Sequence, residues 1–243
     1  MESILNEGDI YREWAPPPAW RHVVACCWEQ RVGAERVQRV VPDGHADLLV
    51  HDSGTVEVVG LADQVALTAL PRGTWIHGVR IRPEAVAAAF GVPAWELTNL
   101  TVPGDDVFGS RRARHLPDRQ GLDEWLMSIE PDPRTAAATR LLASRPVGAA
   151  ADELGITIRQ LRRVLTASVG LAPKPYQRVV RFQRFLAAAE RGQGLAAAAA
   201  DAGYADQAHL TRDVRALTGV TPRQLLEERL GPAFPPGDLP TAR

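Results

Sequence analysis

The strongest constraint on this chain is that part of its C-terminal half is written twice. Residues 147–173, "VGAAADELGITIRQLRRVLTASVGLAP", and residues 195–222, "LAAAAADAGYADQAHLTRDVRALTGVTP", follow one grammar. Each has an alanine-rich segment, a glycine, an amphipathic segment and a closing Gly-x-x-Pro. An offset of 49 superimposes Asp152 on Asp201, Leu161 on Leu210, Arg163 on Arg212, Gly170 on Gly219 and Pro173 on Pro222. The turn glycines depart by one, since Gly155 and Gly203 are 48 apart. A short helix, a tight turn and a second helix make a helix-turn-helix. Self-similarity at a fixed offset makes it a repeated structural unit.

The amphipathic segments differ from ordinary core helices in what they leave outside. At about 100° per residue, Leu210, Val214 and Leu217 share one side of the second segment. Ala208, Thr211, Arg212 and Arg215 lie on the other, with His209 beside them. In the first copy Leu161 and Leu165 face inward, with Ile158 and Val164 near them. Arg159 and Arg163 stand opposite, one turn apart, flanked by Arg162 and Gln160. A charged helix face is usually just solvated. That explanation covers one such helix and strains to cover a pair.

The spacer adds geometry. "KPYQRVVRFQRFLAAAER" (174–191) reads as one helix with Tyr176, Val179, Val180, Phe182, Leu186 and Ala189 on its buried side. At 1.5 Å per residue such a rod is roughly 27 Å long. Successive major grooves on one side of DNA lie about 34 Å apart, so the rod is of a length to hold two helices in adjacent grooves. The residue types suit that task. Arginine forks onto guanine, worth ~1–3 kcal/mol of discrimination, although some arginines are expected to touch only phosphate. Gln207 suits adenine, His209 suits a base edge or phosphate, and the helix N-termini suit phosphate.

Charge divides the chain in the same place. Residues 1–139 hold 13 arginines against 20 carboxylates, whereas residues 140–231 hold 14 basic against 8 acidic residues. A basic half joined to an acidic half points to a polyanionic partner for one of them. Lys174 is the only lysine. Cys26 and Cys27 are neighbours, which disfavours a bridge between them and fits a reducing, cytoplasmic setting. The opening "MESILNEGDIYREWAPPP" does not read as a signal peptide. No apolar run reaches the ~18 residues of a membrane span, so no membrane association is expected.

The N-terminal half reads as β-rich. "HVVACCWEQRV", "VQRVV", "ADLLVHD", "TVEVVG", "QVALTAL" and "TWIHGVRIR" are strand-like runs, and "PDGH" and "DSGT" are turns between them. "RPEAVAAAFG" and "PAWELTNL" are expected to be short helices, Gly91 ending the first. From about residue 121 the pattern turns helical, with Asp132 as a cap and Pro133 at the first position of a helix ending before Pro146. The expected fold class is therefore α+β in two domains: a β-rich, sensor-like N-terminal domain, then an all-α double helix-turn-helix domain. The boundaries expected are 1–112 for the effector or dimerisation domain, 113–145 for a helical connector, 146–231 for the reader and 232–243 for a disordered tail.

Enzyme and metal chemistry are poorly supported. His22, Cys26, Cys27, His45, His51 and His77 show no tight ligand spacing. On an alternating strand Cys26 and Cys27 point to opposite faces, and buried structural cysteine is the simpler state. Asp43, His45 and Asp47 alternate as a carboxylate–histidine pair would, and also as a stabilised turn would. Trp14, Trp20, Trp28, Trp75 and Trp95 suit either a ligand pocket or a core. No nucleophile elbow, phosphate loop or "HExxH" is present. Neither a cofactor nor catalysis is expected.

Segment 141–231 resembles the DNA-binding domain of AraC/XylS transcriptional regulators. The resemblance rests on "AADELGITIRQLRRVLTASVGLAPKPYQRVVRFQRFLAAA" and "AADAGYADQAHLTRDVRALTGVTPRQLL". It implies seven helices with a rigid central one, and operator DNA as partner. It places base reading on Arg159, Arg162 and Arg163 in the first unit and on Gln207, His209 and Arg212 in the second, with Thr211 at phosphate. Gln160 and Arg215 complete the expected DNA-facing set. Such relatives usually carry a larger aliphatic residue where Ala198 stands and phenylalanine where Leu210 and Val214 stand, so a smaller second core and a weaker grip are expected. Residues 11–112 resemble an uncharacterised β-leaning domain attached to such regulators, on "VPDGHADLLVHDSG", "VVGLADQ" and "HGVRIRPEAVAAAFGVPAWELTNLTVPGDDVFG". By analogy this implies a small-molecule effector and leaves RNA polymerase and a homodimer open as partners. The rival reading is a cysteine-based DNA alkyl-transfer repair enzyme acting as an adaptive-response regulator, which needs an exposed, activated cysteine. A third is a sensor whose DNA-binding half is vestigial.

Overall fold

A computed structural model describes residues 3–4 and 9–230 of the chain. Nine strands occur among the described residues: β1 (Ser3–Ile4), β2 (Ile10–Trp14), β3 (Val24–Arg31), β4 (Arg36–Val40), β5 (Ala46–His51), β6 (Val56–Val59), β7 (Ala66–Leu70), β8 (Trp75–Ile81) and β9 (Thr101–Pro103). Seven form an antiparallel sheet in the order β1-β2-β3-β8-β5-β6-β9, while β4 and β7 pair separately. The six strand-like runs of the sequence become β3 to β8. β1, β2 and β9 were not legible, because a two-residue strand, a five-residue strand that runs into a proline cluster and a three-residue edge strand lack a readable alternation.

The large sheet separates two apolar layers. Its alternation places Cys27, Leu48, Val79 and Ile81 in the main core and Cys26, Trp28 and Ile76 in a second cluster with Val32 and Leu70. The β4–β7 ribbon closes this second cluster, contributing Leu70 and a 2.6 Å hydrogen bond from Gln30 to Gln38. Gly78 is glycine for a local reason. A Cβ there would come within 1.9 Å of the Trp28 ring, which crosses β8 and donates to Asp47 at 2.9 Å.

The helices follow. Four short ones come first: α1 (Val86–Phe90), α2 (Gly104–Phe108), α3 (Ser110–Ala113) and α4 (Arg119–Met127). Then come α5 (Pro133–Ser144), α6 (Val147–Glu153), α7 (Ile158–Val169), α8 (Pro173–Glu190), α9 (Leu195–Ala202), α10 (Gln207–Thr218) and α11 (Pro222–Leu230). Asp132 caps α5 as expected, accepting from Arg134 N and Thr135 N at 3.2 Å each. "PAWELTNL" does not form the helix expected of it. Only Ala94–Glu96 makes a helical turn, and Asn99 then takes a positive φ of 61° that ends any continuation. No described helix is long and apolar enough to cross a membrane. The tail expected to be disordered, 232–243, lies outside the described residues.

The main core does not stop between the β-rich and helical parts. It runs from Trp20 and Leu48 through Phe90 and Trp125 to Leu161, Phe182 and Leu217. α7 packs on α1 and on the helical turns at Pro83–Ala85 and Ala94–Glu96, and α5 packs on α6, α7 and α8. The apolar side of α7 is therefore sealed by the N-terminal part as well as by its own unit.

Candidate nucleic-acid interface

The duplication is structural. α7 and α10 have 12 residues each and begin 49 residues apart, as do α8 and α11. In the first unit α6 ends at a turn through Gly155 (φ 65°), and Thr157 caps α7. Thr157 N and Oγ1 donate to Gln160 Oε1 at 2.8 and 2.9 Å, while Gln160 N donates back to Thr157 Oγ1 at 3.2 Å. This reciprocal box satisfies donors a helix start leaves open. In the second unit the turn passes through Gly203 (φ 88°), and Asp206 caps α10 by accepting from His209 N at 2.6 Å. Gly170 and Gly219 close the helices in left-handed conformations, which glycine adopts without a Cβ clash.

The expected DNA-facing residues are then placed as follows. Arg159, Arg162 and Arg163 are exposed, and so are Arg212, Arg215 and Gln207. No other described residue holds any of the five guanidinium groups. Gln160 is exposed, but its Oε1 serves the cap. Thr211 is half-buried and donates to Gln207 O at 2.8 Å. His209 is half-buried and packs edge-on against Tyr204, 5.1 Å between rings. Ile158 departs from the sequence reading: it is 56% exposed rather than turned toward Leu161. It occupies the first position of α7, where no preceding turn covers it.

Three residues that hold α10 were not anticipated. Asp213 accepts from Arg178 Nε at 3.1 Å and from Arg181 Nη2 at 3.2 Å, tying α10 to α8. Arg181 also lies 5.1 Å from the centre of the Tyr204 ring. A signal existed in the sequence: Asp213 is the only acidic residue of α10, and α8 is rich in arginine. The small core around Ala198, Leu210 and Val214 is fully buried, with Tyr204 meeting Phe185 edge-on at 6.3 Å.

The other candidates resolve into structural roles. Cys26 and Cys27 face opposite layers, and burial pushes their thiols up to about 12 and about 11. A nucleophilic thiolate is suppressed at both, which weighs against alkyl transfer. Asp43 accepts from His45 N at 2.9 Å in a turn. Asp43 and Asp47 also face Arg80 Nε at 3.3 and 3.4 Å. The five tryptophans do not converge. Trp20 is in the main core, Trp28 is in the second layer, and Trp14, Trp75 and Trp95 are 46%, 41% and 54% exposed. No group of three His, Cys, Asp or Glu residues suited to a metal occurs among the described residues.

Two family models match the chain. Residues 12–103 match a domain of unknown function, DUF6597, and residues 150–228 match a helix-turn-helix domain. The fold and the paired units define a DNA-binding transcription regulator. Residues 150–228 are thus a helix-turn-helix domain of the AraC type, and a DUF6597 domain stands on its N-terminal side. Among solved structures, ToxT from Vibrio cholerae O395 aligns at 12% identity over 83% of this chain and 91% of that one, with a TM-score of 0.45. Unsaturated fatty acid bound wild-type ToxT from Vibrio cholerae strain SCE256 aligns at 11% identity over 91% of this chain and 96% of that one, with a TM-score of 0.44. No curated protein matches the chain.

Proposed function

We propose that this regulator reads a specific operator by placing α7 and α10 in adjacent major grooves, and that its N-terminal domain governs how the two helices are held. The observation that carries the reading is the pair of equal, capped helices, 49 residues apart, whose guanidinium groups at 159, 162, 163, 212 and 215 no described residue engages. Between them runs an 18-residue helix, about 27 Å long at 1.5 Å per residue. In this reading Arg159, Arg162 and Arg163 meet one half of the site and Gln207, His209 and Arg212 the other. Gln160, Thr211 and Arg215 lie toward phosphate. The reader spans residues 146–231, the governing domain 1–112 and the connector 113–145.

Control by the N-terminal domain is supported by where it touches the reader. Thr98 Oγ1 donates to Gly170 O, at the C-cap of α7, at 3.0 Å. Arg39 Nη1 donates to Thr218 O, the last residue of α10, at 2.7 Å. Gln183 of α8 donates to Pro42 O at 2.6 Å. Anything that shifts the β-rich part therefore pulls on both readers and on the rod between them.

Selection from a randomised duplex library, with affinity measured across salt, tests this. The expected result is an operator with two half-sites about 10–10.5 base pairs apart and a log-affinity that falls steeply with log salt. Salt-insensitive binding, or a single half-site unaffected by charge removal at Arg212, would overturn it.

A further inference from the structure

We propose that the groove between α2, α3 and α4 is a binding site for a small organic anion: a carboxylate carried on an aromatic or alicyclic body. The proposal rests on the reading above in taking α7 as a recognition helix, because occupancy of the groove bears on α7. The groove has a volume of about 620 Å³, within the range of small-molecule sites.

Its floor is aromatic. Phe108 of α2 and Trp125 of α4 both line it, and they meet edge-on at 5.5 Å. Its wall is cationic. Arg111, Arg112 and His115 line it and are exposed, and no described residue hydrogen-bonds or ion-pairs with their side chains. One carboxylate, Glu124, also lines the groove, and its Oε1 already accepts from Gln120 at 2.8 Å. The basic run "SRRARH" stands in a half of the chain where carboxylates outnumber arginines. A run of arginines on a convex surface would only be solvated; here two of them and a histidine line one groove with the half-buried Phe108 ring and the edge of the buried Trp125. A flat apolar body against Phe108, with its anionic end forked by an arginine, uses both features at once.

The floor connects to the reader. Phe90 of α1 lies 6.0 Å from Phe108 and 6.1 Å from Trp125 between ring centres. Trp125 Nε1 donates to Ala89 O at 3.0 Å. α1 in turn packs on α7. A body wedged against Phe108 thus presses, through Phe90, on the element that seals the inner side of the first recognition helix.

The test uses the full chain without DNA and titrates 3-phenylpropionate, 3-phenylpropanol and inorganic phosphate by calorimetry and tryptophan fluorescence. The expected result is saturable binding of 3-phenylpropionate, about tenfold tighter than either control, with Arg111→Gln and Arg112→Gln each weakening it about tenfold, as loss of one charged hydrogen bond implies. No saturable binding of 3-phenylpropionate, equal binding of the alcohol, or unchanged affinity in both variants overturns the site. A second arm measures operator affinity with and without 3-phenylpropionate. A shift in the wild type that is absent when Arg111→Gln and Arg112→Gln are combined supports the coupling to α7, and no shift overturns that coupling. If the chain binds no operator while 3-phenylpropionate still binds, the DNA reading fails and the site stands.

Discussion

Arg39, on the β4–β7 ribbon, donates through Nη1 to the Thr218 carbonyl at 2.7 Å and pairs through Nε with Glu228 at 2.8 Å. One N-terminal side chain thus caps the C-terminus of α10 and holds α11. A cation at a helix C-terminus meets the negative end of the helix dipole. The ion pair itself is half-exposed at Glu228 and adds little.

Arg39→Gln is expected to loosen the second unit by about 1 kcal/mol. Hydrogen exchange should speed up across 207–230 and stay unchanged across 158–169. Equal acceleration in both units would mean that Arg39 supports the whole fold rather than one reader.

Arg163→Ala is expected to relax preference at one base pair by ~1–3 kcal/mol, whereas Arg215→Ala should weaken all sequences alike and reduce the salt slope by about one. Binding of both variants to a site library at several salt concentrations separates base reading from phosphate contact.

Thr157→Ala removes the box that starts α7 and is expected to cost about 1 kcal/mol of stability. Operator affinity should fall as well, since Arg159 sits in the first turn. Thr157→Asp, which can still cap, should restore both in thermal unfolding and binding assays.

Asp213→Ala unpins α10 from α8 and leaves Arg178 and Arg181 without their shared carboxylate. A loss of about 1–3 kcal/mol is expected. A coupled substitution of Arg178 should be less than additive with it in denaturant titrations.

Stability should also decline in alkali. The thiols of Cys26 and Cys27 stay protonated in the fold to about 12 and about 11, above the 9.0 of a free thiol. The unfolded chain therefore loses these protons first. Their contribution is whole below pH 9 and is lost as pH rises through 11 to 12. Denaturant unfolding of the Cys26→Ala, Cys27→Ala protein should show a shallower decline over that window. A slope identical to the wild type would place the alkaline titration elsewhere, for instance in the buried tyrosines Tyr11 and Tyr176, whose hydroxyls burial also pushes up.

Much of the duplicated C-terminal part was legible in one dimension. The offset that aligns Gly170 with Gly219 also aligns the ends of α7 and α10, because left-handed glycine closes both helices. Leu161, Leu165, Leu210, Val214 and Leu217 are buried as their spacing predicts. Phe185 and Ala188 are buried beyond the side the spacing predicts, because α8 is covered on more sides than a surface helix: α9 packs on it and Tyr204 meets Phe185, while Pro42 and Gly44 cover it near Gln183 and Val179. Ile158 was misplaced because wheel geometry does not say which end of a helix has a neighbour. The tryptophans were read as a set, yet a strand sends alternate residues to opposite layers. Trp125, which lines the groove between α2, α3 and α4, stood outside the set.

The sequence by itself determined the duplicated units, their caps and the polarity of their faces, because each depends on contacts within a few residues. It also determined that Cys26 and Cys27 would part to opposite faces of a strand. Only the tertiary structure decided what the units lean on: Thr98 at Gly170, Arg39 at Thr218, and α1 between α7 and the Phe108–Trp125 floor. Those partners are 72 and 179 residues apart along the chain. No local propensity encodes such pairings; they arise when the sheet and the helical bundle bury one continuous apolar surface between them.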